Sequence, residues 1–246
     1  MIIDNYIDRV VGKKTLDDVK KKDAVHVRSG KLSASMLGDP LQWQVLKVLG
    51  VEGEELDEYV VRKFLRGNHV ESWIMQYLDA DATVLNDKQD FANYRGVNGY
   101  IDAMVNTAKW DFPKGLIPVE IKSVANSKFS RIVGTASKPG NGPDRGHCLQ
   151  AVLYALSKGT EWCAVMYVAA DDYRVQTFMI KVEDFKAEVD KIIDEFNEAM
   201  KSKIIPEFKC IEKWQENVKY NRYPEWMSKN KKELLTLSKK LFKNER

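Results

Sequence analysis

Asp102, Glu120 and Lys122 are the residues of this chain whose types and spacing most directly suggest chemistry. Asp102 sits in Gly-Tyr-Ile-Asp-Ala-Met-Val, with Tyr100, Ile101, Met104 and Val105 around it. Glu120 and Lys122 alternate with Val119 and Ile121. Alternation is the period of a strand, so Glu120 and Lys122 project from one face. Between the two runs, Asn106 to Gly115 carries Trp110, Asp111, Pro113 and Gly115, a turn composition. A hairpin there brings Asp102 beside the other two. Two carboxylates and an ammonium then meet at one point, and hard oxygen ligands suit Mg²⁺ or Mn²⁺. The same three residues also fit a polar strand face with a surface ion pair.

Several elements must hold these residues in place. Leu32-Ser33-Ala34-Ser35 offers a cap for a helix from Met36 to about Leu49. Glu54 to Leu78 reads as a long helix, with Val60, Phe64, Trp73, Ile74, Tyr77 and Leu78 at helical spacing. Gly67 interrupts it at about 1 kcal/mol relative to Ala, a cost that close approach of another backbone or of substrate would explain. Residues 83–91 read as a first strand, and the Asp102 and Glu120 strands follow. Ser123 to Gly146 is rich in Gly and Pro and reads as a long irregular loop. It carries Lys128, Arg131, Lys138 and Arg145 against Asp144, which suits a phosphate-contacting flap or a plain surface insertion. Arg145 to Lys158 is a helix with Gln150 and Tyr154 on one face. Trp162–Val168 and Arg174–Ile180 are strands around Asp171-Asp172, and Val182–Met200 is an amphipathic helix. The expected class is α/β, a central mixed β-sheet flanked by helices.

Four motifs in order carry a resemblance to a known group. Gly99-x-x-Asp102 followed by Glu120-x-Lys122 resembles the active-site signature of the PD-(D/E)XK nuclease superfamily. Gln150-Ala-Val-Leu-Tyr154 resembles the Gln-x-x-x-Tyr element of its RecB-like branch, which includes phage exonucleases. Arg66-Gly67-Asn68-His69-Val70-Glu71 resembles that branch's first-helix motif, and the Leu-Ser-x-Ser segment resembles its lead-in. The resemblance spans roughly residues 30–182 and implies a restriction-endonuclease-like core of order αβββαβ. It implies a Mg²⁺- or Mn²⁺-dependent deoxyribonuclease acting at DNA ends in recombination, repair or phage DNA metabolism. Glu71, Asp102 and Glu120 would hold the metal, with the Ile121 carbonyl a further ligand. Lys122 would orient or deprotonate the attacking water, and Gln150 and Tyr154 would position substrate. His69 lies nearer Gly67 than the branch's His, so it is expected to pack or to touch phosphate. A nuclease-fold DNA-binding module without turnover and an RNA-directed enzyme are the other classes such a chain can belong to. A recombination or single-strand-binding protein is a further partner the resemblance allows, and ring-forming oligomers occur in the superfamily.

Composition narrows the rest. Hydrophobic residues make up 44% of 246 positions, enough for a sizeable core. The chain divides into an N-terminal extension (1–30), a nuclease domain (31–200) and a basic helical C-terminal extension (201–246). That last stretch carries thirteen Lys/Arg and six Asp/Glu, a net +7 over a body of net −4. Its Trp214, Tyr220, Tyr223 and Trp226 are expected to anchor it. No apolar run reaches membrane length and the N-terminus does not read as a signal peptide, so a cytoplasmic protein without membrane contact is expected. Some RecB-like nucleases carry a four-cysteine iron–sulfur cluster. Here the cysteines are Cys148, Cys163 and Cys210, and Gly38-Asp39-Pro40 stands where the first ligand would be, so no cluster is expected. No Walker A motif occurs, and His26, His69 and His147 are scattered, which leaves Ser or Cys nucleophile chemistry without a base.

Overall fold

Pro40 decides how the chain enters the fold. In the computed structural model, which describes residues 30–54, 58–80, 90–107, 115–217 and 221–243, Ser33 leads into a single 3-10 turn, Ala34–Met36. The chain bends at Gly38-Asp39-Pro40 and then forms α1 (Leu41–Val48). The helix expected from Met36 to Leu49 is thus two pieces, because proline disfavours helical backbone in the residue before it. Gly38 is needed at the bend, since a Cβ there would lie 2.8 Å from the Gly146 Cα. Ser33 makes no side-chain cap bond; its Oγ lies 3.1 Å from Ser35 Oγ.

Helix α2 (Glu58–Ala80) follows. Two strands, β1 (Asp90–Tyr94) and β2 (Val97–Ile101), form a hairpin. Its turn residues Arg95 and Gly96 both have positive φ, as the right-handed twist of a tight hairpin demands. Most of the strand expected over 83–91 lies outside the described residues. Strand β3 (Ala103–Asn106) and strand β4 (Leu116–Val124) come next. The predicted irregular loop is in fact ordered: α3 (Asn126–Val133), then a miniature hairpin of β5 (Gly134–Thr135) and β6 (Lys138–Pro139). Phe129 and Ile132, one turn apart, bury α3 against the core. Helix α4 (Arg145–Lys158) ends where Gly159 takes the left-handed conformation. Then come β7 (Trp162–Ala169), β8 (Val175–Lys181) and α5 (Val182–Ser202). The C-terminal part adds α6 (Pro224–Met227) and α7 (Lys231–Leu241).

The central sheet is mixed, in the order β3-β4-β7-β8. Strand β3 is antiparallel to β4, β4 is parallel to β7, and β8 is antiparallel to β7. The parallel pair needs a crossover, which α3, the miniature hairpin and α4 provide. Pro118 is tolerated inside β4 because pairing with β7 begins one residue later, at Val119↔Ala164.

Helices cover both faces. On one, Val70 and Ile74 of α2 pack on Ala103, Val105, Ile117, Val119, Ile121, Ala164 and Val168. On the other, α4 and α5 pack with Val165, Tyr167, the β1–β2 hairpin and α1. Ile205, Tyr223, Leu234 and Phe242 from the C-terminal part belong to this second cluster. Of the residues expected to anchor that part, Tyr223 is buried against Trp43, whereas Trp214 is 52% exposed and Tyr220 lies outside the described residues. Among the described residues no helix is long and apolar enough to cross a membrane.

Candidate active site

The two-residue period of β4 sorts its side chains. Val119 and Ile121 enter the cluster under α2. Glu120 and Lys122 therefore point to the opposite face, level with Val165 and Tyr167 of the parallel neighbour. Helix α4 roofs that face and turns Gln150 and Tyr154 inward, where both are buried.

Asp102 was expected within a strand. It stands instead in the break between β2 and β3, where the chain leaves the hairpin and enters the central sheet. That break turns its carboxylate inward, and the Ile121 amide donates to Asp102 Oδ2 at 2.8 Å. Ile121 is thus joined to the site through its backbone, while its side chain fills the opposite core.

Charge crowds this corner. Glu120 is buried, and its Oε1 is ion-paired with the Lys122 ammonium. Its other oxygen, Oε2, is buried without a hydrogen-bond partner. Burial, then the charges of Glu120 and Glu71, push the Asp102 carboxyl up to about 8. Burial and Glu71 likewise raise Glu120, against the opposing pull of Lys122. Burial alone would lower the Lys122 ammonium, but Glu120, Asp102 and Glu71 outweigh it and hold it above the ordinary lysine value. Glu71 on α2 adds its negative charge to the field felt by Asp102, Glu120 and Lys122.

Gln150 Nε2 donates to the Tyr154 hydroxyl at 2.9 Å, one turn along α4. The Tyr154 phenol is raised by burial and then by the nearby Glu120. Gly99 explains its own place in the motif. A Cβ there would lie 2.6 Å from Tyr154 Cε1 and 2.9 Å from Ala34 Cβ, so only glycine lets the hairpin close onto α4. Gly67 has no such reason, since a Cβ there meets nothing within 4 Å among the described residues. His69 is exposed, not packed.

The donor set suits a hard divalent cation: three carboxylates with the electrostatic cost of their own proximity, and one buried oxygen left unpartnered. Among the described residues no three acidic, His or Cys side chains are grouped closely enough to hold a metal ion. The Lys122 ammonium, seated on Glu120, supplies the positive charge in this arrangement.

The four basic residues expected to act together are divided. Lys128 is ion-paired with Asp144. Arg145 opens α4 and turns away to Glu188 of α5, with Nη2 2.7 Å from Oε1. Arg131 and Lys138 are exposed and make no ion pair among the described residues. One residue passed over in the sequence belongs to the site wall: His147, one turn before Gln150 on the same face of α4. The spacing 147, 150, 154 was the available signal.

No protein-family model matches the chain, and no curated protein matches it. Among solved structures it is similar to the crystal structure of SSO0001, with 16% identity and a TM-score of 0.49, covering 79% of this chain and 87% of that one. It is also similar to the alkaline exonuclease LHK-Exo from Laribacter hongkongensis, with 14% identity and a TM-score of 0.45, covering 74% of this chain and 95% of that one. LHK-Exo in complex with dAMP is similar at 15% identity and a TM-score of 0.45, covering 71% and 92%.

Proposed function

We propose that the protein is a Mg²⁺- or Mn²⁺-dependent deoxyribonuclease that hydrolyses phosphodiester bonds, acting at DNA ends in recombination, repair or phage DNA metabolism. The observation that carries this reading is the buried Glu120 carboxylate, half paired with Lys122 and half unpartnered, in a corner it shares with Asp102 and Glu71. Natural structures rarely keep an unpaired buried carboxylate oxygen without a use for it. DNA and end-processing rest on the motif resemblance alone.

Glu71, Asp102 and Glu120 would hold the cation, with the Ile121 carbonyl beside them. A divalent cation bound there supplies charge against the phosphate and lowers the pKa of water. Lys122, once released from Glu120, orients the attacking water and donates to charge developing on the phosphate. Gln150 and Tyr154, fixed to one another by their hydrogen bond, form a rigid wall against which the substrate is placed. Arg131 and Lys138 contact phosphates farther along the strand.

Labelled single- and double-stranded DNA, and RNA, are incubated with the protein in Mg²⁺, Mn²⁺ or excess chelator. DNA should be cut only with cation, and Asp102→Ala and Glu120→Ala should each abolish cutting while melting cooperatively. Undiminished cleavage in chelator would sink the metal role. DNA binding without cleavage in any metal would make the chain a nuclease-fold binding module, and cleavage of RNA alone would change the substrate class.

A further inference from the structure

We infer that His147 is a further substrate-contacting residue of this site, donating its Nε2–H to a phosphate oxygen of bound DNA; the inference rests on the nuclease reading above.

His147 shares the inward face of α4 with Gln150 and Tyr154, at the first turn of the helix. Opposite it stands Tyr167, the register partner of Lys122 across the β4–β7 pair. The Tyr167 oxygen accepts the Asp144 amide hydrogen at 2.9 Å and lies 2.8 Å from His147 Nδ1. The phenol has one hydrogen of its own to give, and Nδ1 is the acceptor in reach. Nδ1 therefore accepts, and the ring proton sits on Nε2.

The ring also stays neutral. Burial, then the Lys122 ammonium, push the imidazole down to about 3, with Lys128 adding to this and Asp144 opposing it. Asp144 Oδ2 is 3.7 Å from Nδ1 and is itself engaged by Lys128. The side chain keeps 24% exposure, and among the described residues nothing accepts from Nε2. The result is a neutral N–H donor of fixed tautomer, open on its outer edge and within the field of Lys122. Its ligand must bring an acceptor, and in a nuclease site the phosphate oxygens of the bound strand are the acceptors that reach this edge. A neutral donor positions such a group without adding a second cation to compete with Lys122.

Two substitutions separate this role from a structural one. The Asn amide reaches the place of ring Nδ1 and keeps the Tyr167 bond. The Gln amide reaches the place of Nε2. Both variants should melt within a few degrees of the unsubstituted protein. In saturating Mn²⁺, His147→Asn should lower single-turnover cleavage on the order of 10²-fold, as loss of one positioned donor does. His147→Gln should stay within a few-fold. DNA affinity measured in Ca²⁺ should follow the same order, falling several-fold for Asn only. If Asn unfolds the protein, His147→Ala takes its place. The reverse order, equal loss in both or no loss in either overturns the inference. A protein that cuts nothing before substitution counts against the nuclease reading, and the Ca²⁺ affinities then still decide whether His147 touches DNA.

Discussion

Asp102 accepts the Ile121 amide hydrogen, yet burial and the charges of Glu120 and Glu71 lift its carboxyl from 3.8 to about 8. Between those values the folded chain keeps a proton that the unfolded chain releases, so stability of the metal-free protein falls as pH rises through that window. Asp102→Asn removes the ionisation and can still accept from Ile121. Its melting temperature at pH 8, without metal, should exceed that of the unsubstituted protein by roughly 5–10 °C, on the order of a few kcal/mol. The gap should close toward pH 5. An equal gap at both pH values in a thermal melt would show that Asp102 ionises freely. Glu120 and Lys122 share a strand face but should fail differently. On the proposed reading Glu120→Ala deletes a ligand, so Mn²⁺ affinity and cleavage should fall together. Lys122→Ala frees the Glu120 carboxylate from its ammonium, so Mn²⁺ affinity holds or rises while cleavage drops by about 3 kcal/mol of transition-state stabilisation. Calorimetric Mn²⁺ titration beside single-turnover cleavage reads both. Equal loss of metal binding in the two variants would make Lys122 a structural support.

The hairpin of β1 and β2 meets α4 through Gly99, and that contact has a measurable cost when filled. Gly99→Ala must displace the Tyr154 ring or Ala34, as overpacking that typically costs about 1–3 kcal/mol. A lowered melting temperature and weakened cleavage are expected, with Mn²⁺ affinity preserved; unchanged cleavage would detach Tyr154 from the reaction. Among the basic residues, Arg131→Ala with Lys138→Ala should weaken DNA binding and flatten its salt dependence, since each phosphate contact releases counterions. Arg145→Ala should leave the salt slope unchanged, because its guanidinium is committed to Glu188. A titration of affinity against salt separates them. These contrasts trace where the sequence was legible. Glu120 and Lys122 could be placed because strand period is local, and Gln150 with Tyr154 because helix period is local. Helix α3 was hidden by the glycines and prolines after it, and only Phe129 and Ile132 mark its buried side. Asp102 sits between strands and not within one because two different sheets meet there. Helix spacing puts His147 on the face of Gln150 and Tyr154, but its setting depends on Tyr167, in another element.

At the scale of the molecule, the C-terminal part is built into the same core as the site wall. Gln215 is fully buried, accepts from the Ile211 and Glu212 amides, and donates to the Gly38 carbonyl at 2.8 Å. Gly38 in turn lies against Gly146, beside His147 at the start of α4. The aromatics suggest anchoring, but this link leaves no local pattern in the sequence, because the side chain reaches back across 177 positions. Gln215→Leu strands several backbone groups and should cost on the order of 2–4 kcal/mol in a denaturant titration. A change under half a kcal/mol would show that the C-terminal part merely rests on the core. The arrangement also sets an order in time. The acidic residues and Lys122 leave the ribosome early, but Ile205, Tyr223, Leu234 and Phe242 must follow before the cluster beneath α4 is filled. At about 5–20 residues per second, translation passes several seconds between β8 and the last of these. A nascent chain therefore passes that interval with the cluster beneath α4 still incomplete.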